Sequence, residues 1–498
     1  MDPLFEVDLV RAAITPGAPF RTLYLQLKAA IIDGRLGLGA KLPPTRRAKT
    51  FFGVSRNTAA KVYESLKGDG YVVARHGSGS YVADALPVST HGVPRRTNVS
   101  SDRRLNPFWL QPEVTGAIHF WRDTSEHPPS TASRNEIDFR PGMVQSRLFP
   151  FDVFRRSMVK QLRQLEQRPA SSNSPQGDQG NVGLRKSIAE HIALTRAVVC
   201  SPDDIVVTSG AQQAFDLLAR ILVTPNKTVV AVEDPGYPPV RVPFVAAGAR
   251  VVPVEVDAEG LIVERLPLDT GVICVSPSHQ FPLGVTMSRR RRNALVEFAR
   301  SRGAVIVEDD YDGEFRFDGA PLEALRSSKF TDVVFYVGTF SKCMLPTLRL
   351  GFVVAPDWAM SPLITAKNSA DWQCSTPIQI AVSCFIAEGH LERHVRKMRQ
   401  IYRKRRQVLL TGLKEHLGKW LEPQPSFYGM HVTALARRSL DLDHIADALV
   451  ESKVKMHTLS RYYLGRRTKA GLIFSYAVTD LPEIDRGLSL LRTALRDL

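Results

Sequence analysis

The sequence predicts an α/β domain with a mostly parallel sheet over residues 135–498, preceded by a small helical unit at 20–85. From about 136 onward, short β-branched runs (DIVVT, TVVAVE, GVICVSPS, AVIVED, DVVFYVGTF) alternate with longer amphipathic stretches. That is the rhythm of strands joined by crossover helices. Between 20 and 85, short helical patterns close in a hairpin-like end. The stretch 86–134 between them is rich in Pro, Ser, Arg and His, with LPVSTHGVPRRTNVSSDRR its clearest part, and reads as a linker. Trp109 and Trp121 in its second half are expected to dock on something, as large aromatics do. Beyond about 390, HLERHVRKMRQIYRKRRQVLLTGL opens as a long basic helix and leads into a smaller C-terminal α+β subdomain.

The bulk composition agrees with several folding units and points to an anionic partner. A chain of 498 residues exceeds one ordinary core, and 44% hydrophobic residues mark it as globular. Its net charge of +16 favours nucleic acid as partner. The five cysteines show no CxxC pairing and are odd in number, which indicates neither a disulfide framework nor a metal site. The N-terminus MDPLFEVDL carries acids where a signal peptide would carry bases, and no apolar run approaches the roughly 20 residues that span a bilayer. A cytoplasmic protein with no membrane partner is expected.

The N-terminal unit can be built from caps and periods. Leu23, Leu27, Ala30 and Ile31 fall on one helical face, and Gly34 ends that helix. A second helix is expected from Thr45, as N-cap, to Phe52, where Gly53 breaks it; a third starts at the N-cap Ser55. Ala59, Val62, Tyr63 and Leu66 pack one face of the third helix inward, which leaves Arg56, Asn57 and Thr58 of its first turn facing out. A helix, a tight Gly turn and a second helix with polar residues at its start is the arrangement that enters the major groove of double-stranded DNA. YVVAR and SYVA then flank HGSG, a turn suited to a wing on the phosphate backbone.

In the large domain, ligand groups are sought just after each β-run, because open α/β sheets bind beyond the carboxyl ends of their strands. After DIVVT, Ser209, Gly210, Ala211 and Gln212 open a helix whose N–H groups can hold a phosphate. After TVVAVE, Tyr237 offers a plane to stack on an aromatic ring. After VICV come His279 and Gln280, polar groups placed for a ring oxygen. Asp309 and Tyr311 follow AVIVE; Thr339, Ser341 and Lys342 follow DVVFYVG, with Arg349 seven residues on as a further phosphate partner. An amine for an imine and a carboxylate for a pyridine nitrogen are the two groups that pyridoxal 5'-phosphate (PLP) requires above all. A strand-end Asp alone is most often a turn residue and a lone Lys solvated surface, so it is the joint occurrence in strand order that carries the expectation.

Both halves resemble known families. The run LPPTRRAKTFFGVSRNTAAKVYESLKGDGYVVARHGSGSYV resembles the winged helix-turn-helix of the GntR family, motif by motif and at the same spacing. That resemblance implies DNA contact by Arg46, by Arg56 and Thr58 of the recognition helix, and by the wing around Gly77. Arg47 and Lys49 divide evenly between phosphate contacts and solvated surface. EDPGY, SPSHQFPLG, EDDYDGEF and GTFSK followed by RLG resemble fold-type I PLP enzymes of the class I aminotransferase group, and in particular the MocR-like subgroup that joins a GntR-type reader to an aminotransferase-like domain. The resemblance implies Lys342 as the imine-forming lysine, Asp309 as the partner of the protonated pyridine nitrogen, Tyr311 as donor to the cofactor's phenolic oxygen, and a homodimer.

Two departures from the aminotransferase pattern stand out. The arginine that commonly clamps a substrate carboxylate is expected at Leu472 in GLIFSYA, with Arg461, Arg466 or Arg467 as replacements. The tyrosine that commonly reaches a neighbouring subunit's cofactor is replaced in the region of Asn173, Ser174 and Pro175. The resulting expectation is a PLP-dependent DNA-binding transcription regulator that senses PLP itself, or an amine or amino acid, through imine formation at Lys342. Whether the aminotransferase-like domain turns over is left open, and an active aminotransferase with an appended DNA-binding domain is the alternative.

Overall fold

The computed structural model describes residues 19–75, 78–84, 107–110, 114, 136–167, 177–317, 323–327 and 330–496. Gly77, Trp121, Asn173, Ser174 and Pro175 lie outside them. The chain divides into two compact units at Leu105–Asn106. Of the stretch expected as a linker, the described residues 107–110 and 114 belong to the second unit.

The first unit contains α1 (Pro19–Ile32), α2 (Ala48–Phe52) and α3 (Arg56–Gly68), closed by the hairpin of β1 (Val72–Arg75) and β2 (Gly79–Val82). Leu23, Leu27, Ala30 and Ile31 of α1 are buried against Ala59, Val62, Tyr63 and Leu66 of α3, so the helical period alone locates this core. Ser55 caps α3 by accepting from Thr58 N at 3.1 Å. The start of α2 differs from expectation: Thr45–Arg47 forms a turn of 3-10 helix, and the residue preceding the α-helix is Arg47, whose side chain caps nothing. A five-residue helix ended by Gly53 at φ +68° has few bonds to defend, and the tighter turn meets the chain arriving from Pro43, whose carbonyl accepts from the Tyr63 hydroxyl at 2.8 Å.

The second unit is built on an eight-stranded sheet. Its strands are β4 (Ile205–Thr208), β5 (Val229–Asp234), β6 (Arg250–Asp257), β7 (Gly260–Leu261), β8 (Thr270–Val275), β9 (Val305–Asp310), β10 (Val334–Thr339) and β11 (Gly351–Val354), in the spatial order 4-11-10-9-8-5-6-7. The run β6, β5, β8, β9, β10 is parallel; β11 pairs antiparallel with both β10 and β4, and β7 pairs antiparallel with β6. The central strands are buried along their whole length, as parallel strands covered on both faces must be. Ile137–Asp138 (β3) pairs with Val454–Lys455 (β14). The 28-residue helix His390–Leu417 leads to an antiparallel sheet of β12 (Leu421–Pro423), β13 (His431–Ala436), β16 (Gly471–Ser475) and β15 (His457–Thr458), in that spatial order. Among the described residues no helix is long and apolar enough to cross a membrane.

Candidate cofactor cavity and DNA-reading surface

The sequence EDD at 308–310 shows how the sheet sorts chemistry from support. All three acids lie on β9, and because strand side chains alternate, Glu308 and Asp310 share one face while Asp309 takes the other. Glu308 accepts from the backbone N–H groups of Leu325 and Arg326 at 2.8 and 2.9 Å. Asp310 is held by the Arg196 guanidinium at 2.5 Å and the Tyr336 hydroxyl at 2.6 Å. Both are thus tied into the scaffold, and Asp309 is left to line a cavity of about 650 Å³ with an Oδ1 that has no hydrogen-bond partner among the described residues.

Lys342 lines the same cavity, its Nζ donating to the Gly142 carbonyl at 2.6 Å. Burial works on the two charges in opposite directions. It pushes the Asp309 carboxyl up to about 8, helped by the neighbouring Asp310 and Asp312, and it pulls the Lys342 ammonium down to about 8. A buried carboxyl whose Oδ1 has no hydrogen-bond partner among the described residues, in the same cavity as a lysine whose proton affinity burial lowers, is a pair set up for a cationic ring nitrogen and an electrophile.

The anion-binding corner is built by backbone. Gly210 stands at φ +83° immediately before the helix Ala211–Leu222, and a Cβ there would lie 3.0–3.3 Å from the Arg349 guanidinium, so glycine gives the arginine room. Arg349 takes the left-handed conformation at φ +47° and donates to the Ser209 carbonyl at 2.9 Å. Ala211, Gln212, Thr339, Ser341 and Arg349 all border the cavity, and the Thr339 hydroxyl donates to Ser341 Oγ at 2.9 Å. Helix N–H groups and a guanidinium together suit a phosphate.

The remaining expected residues divide. Tyr237 and Tyr311 border the cavity, and Tyr237 packs edge-on to Phe281 at 5.6 Å between ring centroids. The Tyr311 hydroxyl donates to the His279 carbonyl at 3.1 Å and lies 2.8 Å from His279 Nδ1, from which Asp312 Oδ2 accepts at 3.0 Å. His279 and Gln280 are not among the cavity-lining residues: both are buried behind it, and the Gln280 amide is occupied by the Pro235 and Phe281 carbonyls at 2.8 and 2.7 Å. The loop after β8 turns these side chains into its own support. Pro141, Gly142, Asp312, Met430, His431 and Ser475 border the cavity and were not anticipated. Of these only Asp312 carried a local signal, lying in the EDDYDGEF string that supplies Asp309 and Tyr311.

The carboxylate-anchor position needs correction. Leu472 and Phe474 of β16 face the large apolar core, while Ile473 packs with Phe281 and Tyr462 and Ser475 borders the cavity. The strand's cavity side is therefore the odd-numbered one, a one-residue difference that only the pairing of β16 with β13 and β15 decides. Arg461, Arg466 and Arg467 are exposed and do not border the cavity. In the first unit, Arg46, Arg47, Lys49, Arg56 and Asn57 are exposed; Thr58 is half-buried, its hydroxyl 2.8 Å from Ser55 Oγ.

Comparison with known proteins agrees with this division of labour. The family "Aminotransferase class I and II" matches residues 149–488, and "Bacterial regulatory proteins, gntR family" matches residues 19–82. The chain therefore belongs to the class I and II aminotransferase family, in its branch of DNA-binding transcriptional regulators that carry a GntR helix-turn-helix domain. Among its relatives, the probable rhizopine catabolism regulatory protein MocR of Rhizobium meliloti is 32% identical over 95% of this chain and 93% of its own. The HTH-type pyridoxine biosynthesis transcriptional regulator PdxR of Corynebacterium glutamicum is 29% identical over 93% and 95%. A solved structure of Pyrococcus horikoshii kynurenine aminotransferase, in complex with PMP, superposes with a TM-score of 0.67 at 25% identity, covering 76% of this chain and 94% of the enzyme.

Proposed function

We propose that the large unit binds PLP at Lys342 and that a primary amine competing with Lys342 for the cofactor, or PLP itself, is the signal that this regulator converts into altered operator binding. The observation that carries the reading is the joint placement around one cavity of the Asp309 carboxyl, whose Oδ1 has no hydrogen-bond partner among the described residues, the Lys342 amine and the Arg349 guanidinium, for which Gly210 leaves room. Bound PLP supplies an aldehyde that amines can add to and a ring that draws electrons from it. Asp309 would hold the ring nitrogen in its protonated form, Arg349 and the start of the helix Ala211–Leu222 would hold the phosphate, and Tyr237 would cover the ring. Lys342, with a proton affinity lowered by burial to about 8, gives up its proton more readily than an exposed lysine.

With the cofactor bound, an amine that took the place of Lys342 would release that side chain and fill part of the cavity. A ligand shifts an equilibrium only through unequal affinity for the two states, so this exchange must favour one arrangement of the regulator over the other. The apolar Ile473 on the cavity side of β16 disfavours the substrate orientation that rapid transamination demands, which supports sensing with little or no turnover. The same reading makes the protein a cytoplasmic homodimer bound to double-stranded DNA. The test is the visible spectrum of the PLP-loaded protein before and after addition of a panel of amines and amino acids, beside operator binding and keto-acid formation by the same preparation. Expected are an imine band that shifts with certain amines and an operator affinity that shifts with it. Rapid multiple turnover without sequence-selective DNA binding would promote the aminotransferase reading instead.

A further inference from the structure

Two residues of the stretch that precedes the large domain's first strand belong to the wall of the cavity. Trp109 and Val114 border it together with Lys342 and Asp309. Val114 is only 2% exposed and borders the cavity, and among the described residues it belongs to none of the apolar core clusters. Trp109 shows the opposite imbalance. Its ring, packed edge-on against Phe108 at 5.3 Å, is 57% exposed although it borders the cavity. A half-exposed indole at the edge of a cavity gains most when a ligand covers it, because an aromatic face buries large area at small entropic cost.

The residues bordering the cavity that no cofactor group claims are mainly apolar: Pro239, Val242, Phe281 and Met430. Phe281 is backed by Ile473 and Tyr462. His431, which also borders the cavity, is held neutral, its proton affinity pushed down to about 3 by burial and by the neighbouring His279. A carboxylate placed against such walls would lose its hydration without gaining a cationic partner there.

We infer that Trp109 and Val114 form the wall of the amine compartment opposite in role to Lys342, contacting the body of the effector, and that this effector is a primary amine with an apolar or aromatic body and no carboxylate. This rests on the amine-sensing reading above and deepens it by naming the ligand class and the residues that select it. Trp109 and Val114 are also among the first described residues of the second unit, so the selecting wall is the part of the cavity nearest in sequence to the DNA reader.

The experiment titrates the imine band of the PLP-loaded full-length protein with methylamine, phenethylamine and phenylalanine, compared on their free-amine concentrations, in the wild type, Trp109→Ala and Trp109→Phe. Methylamine is too short to reach beyond the reacting carbon and reports the exchange alone. Phenethylamine adds the aromatic body, and phenylalanine adds the carboxylate to that. The expected result is a preference for phenethylamine over methylamine that falls about tenfold in Trp109→Ala and is retained in Trp109→Phe, with phenylalanine weaker than phenethylamine. An unchanged preference in Trp109→Ala overturns the wall assignment, and phenylalanine binding as well as or better than phenethylamine overturns the ligand class. If none of the three moves the band, the sensing of amines itself fails and the inference falls with it.

Discussion

The two units handle charge in opposite ways. The reader keeps Arg46, Arg47, Lys49 and Arg56 in water, where a phosphate or a base edge can meet them without any prior rearrangement. The large unit buries the acids of β9 and sorts them by alternation along the strand: Glu308 and Asp310 satisfied by the scaffold, Asp309 with no partner at Oδ1 among the described residues. Substitutions of the reader's exposed cations should therefore change affinity with little effect on the fold, whereas those in the cavity change chemistry and stability together.

The sharpest test of that contrast is Lys342→Ala. The imine band should vanish and the response to PLP and amines with it, while operator affinity stays within about twofold of that of the cofactor-free wild type because the altered site lies in a separate unit. Absorption spectra and a binding titration on one preparation measure both, and a large loss of operator binding in a well-folded variant would break the modular picture.

Asp309→Asn comes next. Removing the carboxylate that would pair with a protonated ring should weaken PLP binding by about a hundredfold or more. The stability effect runs the other way. Because the folded protein raises this carboxyl to about 8, it holds a proton that the unfolded chain releases near the ordinary value of 3.8. This group's contribution is thus fully present at low pH and is lost as pH rises through about 8. Asparagine removes that dependence, so the cofactor-free variant should match the wild type near pH 4 and melt higher than it at pH 8 to 9. Melting curves across pH decide it, and parallel curves would show that Asp309 does not carry the strain.

Two smaller effects belong to the reader. Arg56→Ala should weaken operator binding by roughly 1–3 kcal/mol if the guanidinium reads a base edge, leaving PLP binding unchanged. Equal affinity at every salt concentration would remove Arg56 from the interface. Ser55→Ala deletes the cap on Thr58 N and should cost about 1 kcal/mol of the reader's stability. Thermal unfolding of the full chain, followed by a signal from the first unit, reports it.

Much of the reader was legible from neighbours in sequence. The Ser55 cap and the Ala59, Val62, Tyr63, Leu66 face of α3 each depend on residues three or four apart. The start of α2 was less so, because the turn at Thr45–Arg47 answers to a chain held by Tyr63. In the cavity, the groups that follow the β-runs were legible because parallel strands deliver their ends to one edge. Lys342, Asp309 and Arg349 could thus be singled out without knowing which strand lies beside which.

What local pattern could not decide is everything that depends on register and on distant partners. Leu472 and Ile473 are equally apolar and adjacent, and only the hydrogen-bonded pairing with His431–Ala436 and His457–Thr458 turns Ile473 to the cavity side. His279 looks the same in sequence whether it meets a ligand or Asp312; a carboxylate 33 residues away settles it. Trp109 and Val114 lie in a stretch whose composition reads as connector, and their place in the cavity wall exists only because the folded domain offers a surface to receive them. Caps and periods are short-range and written in the chain, whereas a cavity is a space between segments far apart in sequence, and its lining is decided when they pack.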